Sequence, residues 1–337
     1  MKFSLIICTY QRPAALINLM ESVKEQLLIP DEILIIDSSP NDNSKNALQE
    51  KFYPGLKYFK VGIEGRGLTK QRNYGIQEVA EISEIVCFLD DDIVLTPEYF
   101  QNLISTYSRN PNALGVGGAI IDEVLWRTNR LGNAIEYDEF ELDGYVRKLG
   151  SRNLLRKKLG LLSDQPPGSM PEFSNGLPIG FFPPSDKTYP VEFFMGGVSS
   201  YRKELFEKIG FSSYFEGYGL YEDMDFCLRA SKIGQLYVNT DAKLFHYHEE
   251  AGRPNQFNYG KMVVRNGWYV WRVKYQYPTI KAQLKWHSIA FLLTLVRIGN
   301  VINTDRKIEA LTESLGRIAG WWSLIFDRNR LLKKLNK

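Results

Sequence analysis

IVCFLDDDIVLTP, residues 85–97, decides how the rest of the chain is read. Ile85 to Leu89 is an unbroken apolar run of strand length, which predicts a buried β-strand. It runs straight into Asp90, Asp91 and Asp92. Three adjacent carboxylates repel one another when ionised, and burial makes this worse. A divalent cation removes that cost, and Mg²⁺ and Mn²⁺ favour oxygen ligands. The run therefore predicts a metal-binding turn, with Asp90 and Asp92 in D-x-D spacing. A solvated acidic turn is the plainer alternative. Thr96 and Pro97 predict the N-cap and first residue of a helix. Phe100, Ile104 and Tyr107 give that helix an apolar face.

The same grammar holds toward the N-terminus. Phe3 to Cys8 predicts a buried strand. Pro13 opens a helix whose apolar stripe is Leu16, Met20, Val23 and Leu27, and Pro30 stops it. Ile33 to Ile36 predicts a second strand ending at Asp37, and SSPNDNS is turn chemistry. Leu56 to Val61 predicts a third strand, and glycines 62, 65 and 67 lead into a helix through Arg72 toward Val79. Strands alternating with helices argue for a mostly parallel sheet covered on both faces. Ligands bind beyond the carboxyl ends of such strands. Thr9, Tyr10 and Arg12 after the first strand, and Asp37 after the second, are thus candidates for a nucleotide crevice. Arg66 and Arg72 add cationic contacts to a base or phosphate.

Toward the C-terminus, residues 122–190 read as irregular, and 165–190 as a long loop rich in Pro, Gly and Ser. A helix is expected from about Tyr221, with Phe226, Ala230 and Ile233 on one face. Leu236–Asn239 and Lys243–His248 read as two strands. Glu222, Asp223 and Asp225 occupy the first turn of that helix, where the dipole favours acids for stability alone. The functional alternative is a general base that takes a proton from an acceptor hydroxyl. His246 and His248 would share one strand face. His246, at the end of an apolar run, is the better third metal ligand, with His248 in reserve.

The apolar share of 44% supports a packed core rather than disorder. From Arg253 onward there are 16 Lys/Arg and 4 Asp/Glu, so this part carries +12 while the whole chain carries +3. The domains expected are 1–252, with 122–190 as an acceptor-side insertion, and a basic, aromatic, helical region 253–337. A basic tail suits an anionic surface. No nucleic-acid-reading module is visible, so nucleic acid is not an expected partner. Peripheral membrane contact, a homodimer interface and ordinary core packing stay open for the aromatic–basic helices. Cys8, Cys87 and Cys227 sit apart in apolar runs, which fits a reducing compartment. The first residues lack the pattern of a cleaved leader. The apolar stretch Ile289–Val296 is short of the roughly 20 residues a spanning helix needs. A cytoplasmic location is expected, with or without contact at the cytoplasmic face of the membrane.

Taken together, SLIICTYQRP, EILIIDSS, GLTKQRNYGI, CFLDDDIVLTP, FFMGGVSSYRKELF, YEDMDFCLRASKIG and LFHYH, in this order, resemble the family 2 glycosyltransferases over about residues 3 to 250. The resemblance implies an α/β, Rossmann-like GT-A fold, here with a C-terminal helical extension. It implies an inverting transferase that takes a nucleoside-diphosphate sugar, with Mn²⁺ or Mg²⁺, and acts on a glycan or lipid-linked acceptor in cell-surface polysaccharide synthesis. It implies donor contacts from Thr9, Tyr10, Arg12, Asp37, Arg72, Asp90 and Asp91. Metal ligation falls to Asp90, Asp92 and His246, base catalysis to Asp223 with Glu222, and acceptor contact to Gly197 and Glu222. Asp37 is followed by Ser38 and Ser39 where the family usually has a second acid or Asn. Among rivals, a sugar-nucleotide nucleotidyltransferase lacks its glycine-rich N-terminal loop here. A dinucleotide oxidoreductase lacks G-x-G-x-x-G after the first strand. A non-catalytic glycan-binding relative would not need Asp90, Asp92 and Asp223.

Overall fold

The computed structural model describes residues 1–121, 124–129, 131–215, 217–247 and 254–326. They form two compact units, Met1–Leu125 with Ile179–Arg253, and Trp126–Pro178 with Pro254–Lys337. One division between the units falls after Arg253. The segment 126–178 groups with the C-terminal helices.

In the first unit β1 (Phe3–Thr9), β2 (Glu32–Asp37), β3 (Leu56–Lys60) and β4 (Ile85–Asp90) pair in parallel, in the order β3-β2-β1-β4. Helix α1 (Pro13–Lys24) links β1 to β2, α2 (Asn43–Gln49) links β2 to β3, and α3 (Leu68–Gln77) links β3 to β4. Every residue of β2 is buried, and so are the first five of β4. This is why both read as continuous apolar runs. Leu16, Met20 and Val23 of α1 pack into the core, but Leu27 beyond the helix end is exposed.

Past β4 the sheet becomes mixed. β5 (Ile93–Leu95), α4 (Tyr99–Arg109), β6 (Ala113–Ile120), β10 (Thr188–Val191), β11 (Val198–Arg202), α6 (Glu222–Ala230) and β12 (Gln235–His246) complete the unit. β11 runs antiparallel between β4 and β6, and β12 lies parallel to β6. The two strands expected at 236–239 and 243–248 are one strand, β12. Its pairing with β6 shifts register between Val238 and Lys243. Helix α4 starts at Tyr99, so Thr96 does not cap it. The Thr96 hydroxyl instead donates to the Lys243 carbonyl, tying the turn to β12.

In the second unit, the described residues of 126–178, part of the segment read as irregular, carry regular structure. β7 (Arg127–Thr128), β9 (Tyr145–Lys148) and β8 (Glu139–Leu142) form a small antiparallel sheet, followed by α5 (Gly150–Lys158). The C-terminal helices are α7 (Gln256–Lys274), α8 (Ile280–Asn303) and α9 (Lys307–Phe326). Trp271 stacks on Trp286 at 5.5 Å and donates its indole N–H to the Glu172 carbonyl. Trp268, Trp271 and Trp286 are therefore core, whereas Trp322 is exposed.

Candidate active site

Strand order reverses on either side of β1, between β2 and β4. The carboxyl ends of β1 and β4 thus flank the crevice where open α/β sheets bind ligands. A cleft of about 540 Å³ opens there. Thr9, Tyr10 and Arg12 line it from β1 and the turn after it, together with Asp90, Asp91, Asp92 and His246. That size suits a small-molecule site.

The three aspartates have three different environments. Asp91 is buried; it accepts from the Thr9 hydroxyl at 2.7 Å and from Arg12 Nη1 at 2.9 Å. Burial pushes its carboxyl up to about 6, against the pull of Arg12 and Thr9. Asp92 Oδ2 lies 3.4 Å from the same Arg12 nitrogen, and its Oδ1 lies 3.2 Å from His246 Nε2. The β5–β12 pairing sets His246 opposite Ile93, the residue after Asp92. Asp90 turns elsewhere: its Oδ1 is 3.4 Å from Arg72 Nη2.

A second cluster joins the cleft through Asp90. Arg72 on α3 is buried, with its guanidinium over Phe211 at 5.3 Å and Phe88 at 5.7 Å. Its Nη1 pairs with Glu222 Oε1. Glu222 is buried, and its other oxygen accepts no hydrogen bond among the described residues. Burial pushes Glu222 up to about 8, although Arg72 pulls the other way. Asp223 accepts backbone N–H groups from Gly196 at 3.2 Å and Met224 at 2.7 Å. Burial raises its pKa and those two bonds oppose the shift. Gly196 and Gly197 permit this crowding. A Cβ on Gly196 would stand 2.6 Å from Arg72 Nη1, and one on Gly197 would stand 2.1 Å from Asp90 Oδ2. Only glycines let the backbone pass between Asp90 and Asp223.

Asp37 takes a less open position than its place at a strand end suggests. It is fully buried, accepting from Ser39 N at 2.7 Å and from the Tyr58 hydroxyl at 2.6 Å. Ser38, its neighbour, lines the cleft. Gln71 and Tyr218 also line it without having been singled out in the sequence. Gln71 Nε2 donates to the carbonyls of Thr9 at 3.2 Å and Ile36 at 2.8 Å, clamping the ends of β1 and β2 together. Its signal in the sequence was an amide directly before Arg72 on the helix that follows glycines 62, 65 and 67. Arg66 rests over the Tyr10 ring at 4.7 Å, an aromatic–cationic shelf at the cleft. His248 lies outside the described residues.

Among the described residues no three His, Cys, Asp or Glu side chains form a metal cage. Asp92 and His246 nevertheless offer a hard carboxylate oxygen and an imidazole nitrogen side by side at the cleft. A nucleotide-associated Mg²⁺ ion commonly takes one or two carboxylates and completes its shell with phosphate oxygens and water. The pair fits that kind of partial site.

The sequence model described as glycosyl transferase family 2 matches residues 4–210, more than half of the chain. The chain belongs to glycosyl transferase family 2. Its enzymatic class is that of a glycosyltransferase. A further model, described as the N-terminal domain of galactosyltransferase, matches residues 179–249. A glucosyl-dolichyl phosphate glucuronosyltransferase of Haloferax volcanii is 29% identical over 130 residues, 38% of this chain and 41% of that protein. The match thus spans about two fifths of that relative's length. An uncharacterized glycosyltransferase of Bacillus subtilis, YwdF, is 28% identical over 261 residues, covering 75% of this chain and 76% of its own. Glycosyltransferases of known structure share the fold. The mannosyltransferase PcManGT of Pyrobaculum calidifontis, in complex with GDP-Man and Mn²⁺, superposes with a TM-score of 0.53 at 14% identity, over 97% of this chain and 87% of that one. GalNAc-T7 with UDP, GalNAc and Mn²⁺ gives 0.52 at 16% identity, over 82% and 51%. The architecture is thus the GT-A fold, with C-terminal helices added.

Proposed function

We propose that this family 2 enzyme transfers a glycosyl group from a nucleoside-diphosphate sugar to a hydroxyl of a glycan or lipid-linked acceptor, with inversion and with Mn²⁺ or Mg²⁺. The observation that carries this reading is the two-glycine step at Gly196 and Gly197. It sets Glu222 and Asp223 of α6 beside Asp90 of β4, far apart in sequence, with Arg72 paired to both Asp90 and Glu222. PcManGT in complex with GDP-Man and Mn²⁺, and GalNAc-T7 with UDP, GalNAc and Mn²⁺, support the choice of cofactor. Lipid-linked acceptors are named for the glucuronosyltransferase above and for a GalNAc(5)-diNAcBac-PP-undecaprenol beta-1,3-glucosyltransferase of Campylobacter jejuni, 28% identical over 113 residues. Those names support a role in building cell-surface polysaccharide or glycolipid.

In this mechanism Asp92 and His246 would hold the divalent ion, which when bound neutralises charge on the leaving diphosphate. Asp90 is assigned to the donor side, next to Arg72, although the D-x-D spacing also offers it as a ligand. Thr9, Tyr10 and Arg12 line the nucleotide end, and Asp91 holds Arg12 and Thr9 in place. Asp37 shapes the end of β2 from beneath Ser38. Asp223 accepts the proton of the acceptor hydroxyl as the new C–O bond forms. The bond to the diphosphate breaks with its electron pair leaving on the diphosphate oxygen. A carboxyl raised by burial is the stronger base near neutral pH. Gly197 and Glu222 lie on the acceptor side. A panel of nucleotide sugars, assayed for nucleoside diphosphate release with and without Mn²⁺, tests the reading. Metal-dependent release from one donor is the expected result, and no release from any donor, with or without a lipid-linked or glycan acceptor, would overturn it.

A further inference from the structure

The outward faces of α8 and α9 carry an arrangement that the catalytic reading leaves unused. A helix in water turns large apolar side chains inward and polar ones outward. Helix α9 does the reverse. Its buried face consists of Ala310, Glu313, Ser314, Gly316, Arg317 and Gly320, with Leu324 near the end. Gly316 and Gly320 bring α7 to backbone contact. A Cβ on Gly316 would stand 2.0 Å from the Phe257 carbonyl oxygen, and one on Gly320 2.9 Å from that of Lys261. Gly260 of α7 reciprocates, 2.0 Å from the Glu313 carbonyl oxygen by the same measure. The buried Glu313 is neutralised by Arg317 at 2.7 Å and by Arg297 of α8 at 2.7 Å.

The opposite face of α9 carries Ile308, Leu311, Leu315, Ile318, Trp322 and Ile325, spaced alternately by three and four. All are exposed, from 41% at Ile318 to 81% at Ile308. Such spacing keeps them on one stripe. Helix α8 has its own exposed stripe, Phe291, Leu295, Ile298 and Ile302, spaced by four, three and four. It contains no Asp or Glu between Ile280 and Asn303, but it holds Lys281, Lys285 and Arg297.

We infer that these two stripes seat on the surface of an anionic phospholipid bilayer, lying in its interface rather than crossing it. Small residues between helices, with large apolar ones facing outward, are how helices pack in a lipid environment. Ionisable groups inside such packing occur as neutralised pairs, as Glu313 does. No helix among the described residues is long and apolar enough to cross a membrane. Charge selects the occupant: the sequence from Arg253 on carries a net +12, which anionic lipid attracts and a second copy of the same chain repels. The inference stands on the C-terminal helices alone and is independent of the catalytic assignment.

Flotation of the full chain in a density gradient tests it. With phosphatidylglycerol–phosphatidylcholine vesicles the protein rises; with phosphatidylcholine alone it rises less, and added salt weakens the association. The triple variant Leu315→Gln, Ile318→Gln, Trp322→Gln changes only exposed side chains, so its melting temperature stays close to that of the parent. Its partition into anionic vesicles falls by about tenfold or more. Phe291→Gln with Leu295→Gln on α8 gives an independent reading should the α9 variant fold poorly. Absence of wild-type flotation, or equal flotation of both variants, overturns the inference. So does a lipid-independent dimer that either variant converts to monomer, since the stripes would then belong to a second copy.

Discussion

Two acidic runs, Asp90–Asp92 at the end of β4 and Glu222–Asp225 at the start of α6, place six carboxylates in one unit, and they are held by different physics. In the β4 run each acid meets a base from another element. Asp91 is held by Arg12, Asp92 by Arg12 and His246, and Asp90 faces Arg72. In the α6 run, Glu222 and Asp225 also pair with arginines, Arg72 and Arg229. Asp223 differs from the other five: backbone N–H groups hold it, and it makes no ion pair among the described residues. A guanidinium neutralises the carboxylate it holds, whereas backbone donors fix its position and leave its negative charge free to take a proton. Adjacent acids are therefore not equivalent, and on the proposed reading the type of partner separates the base from the structural and ligand-holding groups.

The comparison breaks most readily at Asp223. Asp223→Asn keeps the shape and removes the proton acceptor, so turnover falls about 10²–10⁴-fold while donor affinity barely changes. Nucleoside diphosphate release and donor calorimetry, read together, check this; wild-type turnover would undo the distinction. Asp92→Ala carries the opposite signature. It weakens Mn²⁺-supported nucleoside diphosphate binding by about tenfold or more, and His246→Ala does the same. Calorimetric titrations unaffected by either change would remove the pair from the metal's surroundings.

How much of this was visible beforehand depended on where each partner lies. The apolar run into Asp90, Asp91 and Asp92 states its own strand and its own turn, because burial and end position are local properties. The parallel half of the sheet was legible for the same reason. The surroundings of Asp37 were not: its carboxylate accepts from the Tyr58 hydroxyl, a partner supplied by the pairing of β2 with β3, whose register aligns Ile35 with Tyr58. Thr96 reads locally as a cap, yet β12 offers its hydroxyl a carbonyl that no local pattern could announce. The order within 126–178 was hidden because short strands such as Arg127–Thr128 are too brief to show a period. The tail's charge and aromatics were plain, but which tryptophans are core depended on helix packing.

Glu222 offers a subtler test, through pH. Its ordinary value of 4.5 is raised to about 8 in the folded chain, burial being the larger cause and Arg72 the opposing one. Below about 4.5 both folded and unfolded chains hold the proton, and the contribution to stability is complete. As pH rises toward 8 the unfolded chain has released its proton while the folded one retains it, so stability falls, by at most about 1.4 kcal/mol per pH unit. Glu222→Gln deletes that dependence. The melting temperature of the variant should gain on wild type steadily from pH 5 to pH 8; a constant difference over that span would show that Glu222 is ionised throughout.

The smallest effect on activity is expected two residues beyond the proposed base. Asp225 is buried, and its Oδ2 receives Arg229 Nη2 at 2.6 Å and Nε at 3.0 Å within the same helix. Asp225→Asn keeps the volume and loses the charge. Arg229 is partly exposed and can turn to water, so the cost stays near about 1–2 kcal/mol rather than that of a fully stranded buried ion. The melting temperature then drops by about 2–8 °C. Turnover per folded molecule stays at the wild-type level, because Asp225 is held by an arginine and has no proton to take. A collapse of turnover in Asp225→Asn as deep as that of Asp223→Asn would mean that the whole first turn of α6 acts as a unit, and that the kind of partner does not tell these carboxylates apart.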